Sequence, residues 1–272
     1  MERNGETEMS LAFQISHAEL LLLLGLLELP RPFALGQGTL PARPALEGAL
    51  SAAVGSLVAR NLLVLPPSPE SPPTPHAALA DMLRTAALAD SLLIVASGPP
   101  TQLGHISRAG NRFVLHSSPA PDVHRFEAIT GVDQVTGTML GILALVNLRE
   151  PECQTPLLLN GETLLTAFNA LQHNDEHMAV WALEQQGYPT TLARSFVTAI
   201  GPQPARYALA AIRHMRQPQP EARGALLIAG RNGGWWAVPA SDRDDRLALW
   251  PVGGDSLRQR IGELGAWICE AA

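Results

Sequence analysis

Lysine is absent from this chain: all 19 residues in its Lys+Arg count are arginine. Without lysine there is no Schiff-base, pyridoxal-phosphate or P-loop chemistry of the usual kind, which removes several large enzyme classes. Arginine as the sole strong base also points to a GC-rich, bacterial genome. Charge of either sign is scarce. Charged residues make up 16% of the 272, against roughly 25% in an average soluble domain. So few charges imply a large buried fraction, an apolar surface for a partner, or both. The formal net charge of -6 argues against a nucleic-acid protein, which carries a basic face for phosphates. Cys153 and Cys269 are the two cysteines, too few for a disulfide framework or a four-thiolate zinc site, so a reducing cytosol is the simpler compartment. Long apolar runs are missing too. Leu20 to Leu29 is interrupted by Gly25 and Glu28 and is far too short to span a bilayer. Met1 to Ser10 carries Glu2, Glu6 and Glu8 against Arg3, the wrong charge for a secretory signal. A soluble, cytoplasmic protein with no membrane insertion is expected.

What the sequence does contain is an ordered series of helix and strand signals. Ser16-His17-Ala18-Glu19 has the spelling of a capping box, with Ile15 and Leu20 at the staple positions, and predicts a helix running to about Leu29 before Pro30. A second helix, about Ala45 to Arg60, puts Leu46, Leu50, Val54 and Leu57 on one face. The stretch 66–75, PPSPESPPTP, is an extended surface loop by composition. Thr74 as cap and Pro75 in the first turn then open a third helix through Leu79, Met82, Leu83 and Ala86. Strands follow at Leu92–Ala96, Ile106–Arg108, Arg112–His116 and Val123–Ile129, with Ala109-Gly110-Asn111 as a hairpin turn and a helix from Asp133 to Asn147. The second half repeats the order. Helices are predicted at Gly161–Gln172, Asp175–Gln186 and Thr191–Ile200, and strands at Arg206–Arg213, Gly224–Ala229, Trp235–Val238 and Leu247–Pro251. Gly230 to Gly234 turns the middle pair, and a last helix begins near Asp255. The expected fold is α/β (α+β): two pseudo-symmetric halves, about 11–150 and 155–268, sharing a central sheet flanked by helical bundles in a single domain, 1–272.

Motifs with chemical content are few. His173-Asn174-Asp175-Glu176-His177 matches the H-x-x-E-H spelling of inverted zinc proteases, where two histidines one turn apart bind the metal beside a glutamate base. Asn174 or Asp175 also has the character of a helix N-cap, which would set His173 and His177 on different helices, and no third ligand has a supporting context. The competing reading is a polar interhelical turn. Asp242, Asp244 and Asp245 interleave with Arg243 and Arg246 as a solvated loop. Cys153 has no activating neighbour in sequence. Leu46 to Leu65 has the rhythm of a winged-helix recognition element, yet one Arg and one Glu offer a phosphate backbone little. No catalytic residue and no cofactor are assigned.

Tryptophan is concentrated late: Trp181, Trp235, Trp236 and Trp250. Neighbours on a strand face opposite sides, so one of Trp235 and Trp236 can enter the core while the other lies on the outer face, under helices or under a partner. Taken together, "ISHAELLLLLGLLELP", "LVARNLL" and "HISRAGNRFVLHS" in the first half, with "GGWWAVPA" and "RLALWPVGGDSLRQRIGELGAWI" in the second, make the chain resemble the EspG family of type VII (ESX) secretion-associated chaperones. The 66–75 insert and the lack of lysine depart from a typical member. The resemblance implies a cytosolic, non-enzymatic adaptor that binds helical secreted proteins of the type VII pathway. It places the binding surface on the sheet and the second-half helices, with Met178, Trp181, Trp235 and Trp236 as candidate contacts.

Overall fold

The computed structural model describes residues 11–32, 43–68, 70–97, 103–143, 148–150, 154–230, 233–241 and 244–270. Cys153, the Arg231–Asn232 turn, Asp242, Arg243 and the end of the predicted helix at 144–147 lie outside them.

The chain opens with strand β1 (Ala12–Ser16), which runs directly into helix α1 (His17–Leu26). The capping box forms: Ser16 Oγ accepts from the Glu19 amide at 3.2 Å, and the Glu19 carboxylate accepts from the Ser16 amide at 2.7 Å. α1 ends short of Pro30, because Glu28 takes a left-handed φ of 52°. Helix α2 (Arg43–Ala59), the short strands β2 (Leu63–Val64) and β3 (Thr74–Pro75), and helix α3 (Ala77–Ala87) follow. Thr74 and Pro75 therefore do not open α3. They pair with Leu63 and Val64, and His76 stands at the cap without a side-chain hydrogen bond. Four antiparallel strands come next, β4 (Ser91–Ser97), β5 (Leu103–Ala109), β6 (Arg112–Ala120) and β7 (Val123–Ile129), then helix α4 (Val132–Leu143). Gly110, at φ 59°, makes the β5–β6 turn.

The second half has the same order. Strand β8 (Leu157–Asn160) enters helix α5 (Gly161–Gln172), and Asn160 caps it by accepting from the Thr163 amide at 2.7 Å. Helices α6 (Glu176–Glu184) and α7 (Thr190–Ile200) complete a bundle. Strands β9 (Ala205–Arg213), β10 (Glu221–Gly230), β11 (Gly233–Ser241) and β12 (Asp244–Val252) lead to helix α8 (Gly254–Cys269).

Apart from the β2–β3 pair, the described strands form one ten-stranded antiparallel sheet in the order β1-β7-β6-β5-β4-β9-β10-β11-β12-β8. The order is palindromic: exchanging each first-half strand for its second-half counterpart reverses the list. The pseudo-twofold passes between β4 and β9, where Ile94 pairs with Ala210. α4 and α8 cover one face and bury the central core, with Leu93, Val95, Ile106, Leu209, Leu227 and Trp236 from the sheet and Leu257, Ile261 and Trp267 from α8. Strand alternation sends the next residue along each strand to the opposite face. There α1–α3 pack on Ile15, Val114 and Phe126, while α5–α7 pack on Ile228, Trp235 and Leu249. Buried Arg108 of β5 ties the halves together by donating from Nη1 to the Ile268 carbonyl near the end of α8, at 2.9 Å. An arginine at a helix C-terminus satisfies an orphan carbonyl and matches the helix dipole. No helix among the described residues is long and apolar enough to cross a membrane.

Candidate partner-binding surface

Among the described residues, the two bundles do not meet over the middle of the sheet. α3 packs over β5–β7 and α7 over β10 and β11, so on this face β4 and β9 run between them. The cross-strand rows follow from the register. Leu103, Ala96, Ala208 and Leu226 make one row, and His105, Ile94, Ala210 and Gly224 make the next. Ser107, Leu92, Ile212 and Ala222 make the third. Of these, Ile94, Ala96, Ala210, Ile212 and Leu226 are half-buried, and Ala208, Ala222 and Gly224 are exposed. The result is a shallow apolar channel, floored mainly by alanine, isoleucine and one glycine. Small floor residues let another chain approach the sheet closely. Sequence reading missed this strip. The apolar run of β4 is that of a strand buried on both faces, and only the alternating small residues Ala208 and Ala210 in β9 hint at an uncovered side.

The second-half helices add exposed apolar side chains. On α6, Ala179, Ala182 and Leu183 point inward to α5 and α7. Met178 and Trp181, three residues apart and therefore on one face, are 44% and 50% exposed. Leu165 on α5 is 57% exposed. Trp235 and Trp236 behave differently. Trp235, 1% exposed, packs against Phe196 of α7 with ring centroids 5.0 Å apart, and Trp236, 3% exposed, is buried on the other face in the core beneath α4 and α8. They do face opposite sides, but the chain's own helices cover both. Neither is a surface contact, and Met178 and Trp181 are the two candidates that remain at the surface.

The H-x-x-E-H element falls across a turn. His173 is the C-cap of α5, with its Nδ1 2.8 Å from the Asn169 carbonyl oxygen. Asn174 takes a φ of 58°, and Asp175 caps α6 by accepting from the Met178 amide at 2.9 Å. His173 and His177 thus belong to different helices, which removes the helical geometry that H-x-x-E-H zinc binding requires. Among the described residues no group of three or more His, Cys, Asp or Glu is placed to hold a metal ion. The winged-helix reading gains nothing from the structure: the charges in Leu46–Leu65 are Glu47 and Arg60, and Arg60 is engaged with the Glu19 carboxylate and the Gln14 carbonyl.

No family model matches the sequence, and no curated protein does. Solved structures do match. The chain superposes on the Mycobacterium tuberculosis type VII secretion system chaperone EspG5, solved in complex with the PE25–PPE41 dimer, with a TM-score of 0.67 over 92% of this chain and 94% of that one, at 12% identity. This is the EspG fold. Near-complete coverage in both directions means that the match takes in both pseudo-symmetric halves and the sheet they share, not one bundle alone. At this identity the EspG fold is held by the burial pattern and not by particular side chains.

Proposed function

We propose that the chain is a type VII secretion chaperone of EspG type, which holds a helical secretion substrate in the cytoplasm before export. The observation that carries this reading is the apolar strip along β4 and β9 that no described helix covers, centred on half-buried Ile94, Ala96, Ala210 and Ile212, on a sheet otherwise packed by helices on both faces. The match to EspG5, solved with a PE25–PPE41 dimer, supports a partner of PE–PPE type. Capture of an apolar helical tip in a groove needs shape and burial, and no catalytic group. Met178 and Trp181 would extend the contact onto the second-half bundle, where an exposed tryptophan is a favoured anchor.

The test is co-expression with the PE–PPE pairs encoded in the same genome, followed by size-exclusion chromatography and calorimetry. A stable complex is expected with at least one pair. Ala210→Glu, which puts a charge on the floor of the strip, should weaken it by at least tenfold with an unchanged melting temperature. If native protein retains no PE–PPE pair, or if Ala210→Glu binds as well as wild type, the proposal fails.

A further inference from the structure

Four histidines form a row through the first half, running from His105, in a cross-strand row of the proposed binding strip, outward to the sheet edge at His17. His105, His116 and His124 stand on adjacent strands β5, β6 and β7, on the face covered by α1–α3, and all three are buried. His17, the first residue of α1, ends the row. Nδ1 of His17 lies 3.1 Å from Nε2 of His124, and Nδ1 of His124 lies 3.0 Å from Nε2 of His116. The His116 ring stacks flat on Phe126, with centroids 4.5 Å apart and planes 3° apart, and on its other side meets His105 at 6.1 Å. His116 Nδ1 is buried with no hydrogen-bond partner among the described residues.

We propose that this row is an acid-sensitive joint: neutral, it seats the α1–α3 bundle on the sheet, and protonated, it releases that bundle while the rest of the sheet stays formed. The proton count explains why. In the neutral row each nitrogen pair shares one proton, and every link is satisfied. A first added proton has a place, because an imidazolium at His124 donates to both neighbours. His116 must then carry its own proton on the unpartnered Nδ1. A second proton puts like charges about 3 Å apart in a desolvated layer, where repulsion is least screened.

The surrounding elements supply little compensation. Among the described residues, Asp122, in the β6–β7 turn, is the carboxylate that favours a charge on His124. On α1, the Glu19 carboxylate is taken by the Ser16 amide and by Arg60. On α3, Asp81 pairs with Arg84 and Arg112, and His76 at its start rests on Phe13. β1 carries no titratable side chain. Burial pushes His105 down to about 4, burial with His124 and His105 pushes His116 down to about 3, and burial with His17 pushes His124 down to about 4. The sign follows. The unfolded chain binds these protons from near pH 6.5 and the folded chain does not, so stability is complete above that value and is lost progressively as pH falls toward 4.

Peptide-resolved hydrogen exchange at pH 7.5 and 5.0, corrected for intrinsic rates, tests the joint. At pH 5.0, α1 and β6–β7 should exchange at least tenfold faster, while α5–α8 are unchanged. All five tryptophans lie in the second half, so their emission should stay native through the same change. His116→Phe keeps a flat ring against Phe126, and its fall in melting temperature between these pH values should be smaller than wild type's by roughly 4–8 °C. Should that variant not fold, 15N-histidine NMR of the native chain serves instead. Three ring spins should stay neutral down to pH 5.5 and change only together with first-half backbone signals. Exchange that rises equally in both halves, a variant as acid-sensitive as wild type, or rings that titrate near 6.5 with the backbone unmoved would each overturn the proposal.

Discussion

Glu19 and Arg60 meet at 2.5 Å beside the outer edge of β1, the last described strand on that side of the sheet, and between them they occupy two of the backbone groups that edge presents. The Glu19 carboxylate accepts from the Ser16 amide, and Arg60 Nη1 donates to the Gln14 carbonyl at 2.8 Å. Even-numbered residues of β1 turn their amides and carbonyls away from β7, so these are the positions another strand would pair with. Edge strands invite such pairing, and a charged cover is one way proteins prevent it. Burial pushes the Glu19 carboxyl up, but the Ser16 amide, the Ser56 hydroxyl and the Arg60 guanidinium together outweigh it and hold the group below its ordinary 4.5. The stability this lends is complete above that value and falls away below it. Arg60 is 41% exposed, so solvent screens part of its effect. Arg60→Ala should cost about 1–2 kcal/mol by denaturant titration at pH 7.5. A change below about 0.3 kcal/mol would show that the pair is only a surface contact.

The opposite edge of the sheet has its own guard, built differently. Tyr188, in the α6–α7 connection, accepts at its hydroxyl from the Leu158 amide at 2.6 Å and donates to the Leu158 carbonyl at 2.9 Å. One hydroxyl thus closes both outward backbone groups of the middle of β8. Tyr188→Phe leaves the packing in place and frees that edge. The expected result is a loss of about 1 kcal/mol and a new concentration-dependent dimer in sedimentation velocity. A variant that remains monomeric at every concentration would mean that the hydroxyl does not protect the edge.

The tryptophans should separate cleanly by face. Trp235→Ala and Trp236→Ala each empty a fully packed site, and each should cost about 3–5 kcal/mol. Trp181, half-exposed on α6, should cost no more than about 0.5 kcal/mol when changed to alanine, while partner affinity falls by about 2 kcal/mol or more. Urea titration and calorimetry on the three variants decide this. If Trp181→Ala destabilises as much as the other two, α6 is not a contact surface.

Much of the fold was legible because local signals and tertiary demands agree. Ser16 and Glu19 specify the start of α1 within four residues, and Gly110 supplies the positive φ that the β5–β6 turn needs. Edge strands β1 and β8 were not legible. They are short, and each draws its pairing from a distant strand, β7 for Ala12–Ser16 and β12 for Leu157–Asn160. Thr74 and Pro75 have the residue types of a helix start, but pairing with Leu63 and Val64 overrides that preference. Alternation correctly set Trp235 and Trp236 on opposite faces. It could not say that α7 lies over one and α8 over the other, because helix placement depends on the whole sheet. The proposed strip was hidden for the same reason: which face of β4 and β9 the described helices leave uncovered is decided by where α3 and α7 stop.

Fragments 1–150 and 151–272 would each carry one half's helices and five strands of the large sheet. The structure argues that neither can close. Separation strips β4 and β9 of the seven-residue pairing from Ser91–Arg213 to Ser97–Tyr207, leaving long, apolar, unprotected edges of the kind that Glu19–Arg60 and Tyr188 guard elsewhere. It also divides the core beneath α4 and α8, to which both halves contribute, and leaves buried Arg108 without the Ile268 carbonyl. Breaking a buried, charge-assisted hydrogen bond alone costs about 1.5–3 kcal/mol, a large share of a typical stability of about 5–15 kcal/mol. Each fragment alone should therefore show no cooperative thermal transition by circular dichroism. An equimolar mixture should recover one, with near-native tryptophan emission, since the complementary edges and the shared core are then both present. If either fragment melts cooperatively as a monomer, the halves are independent domains, and the shared sheet is an association between them.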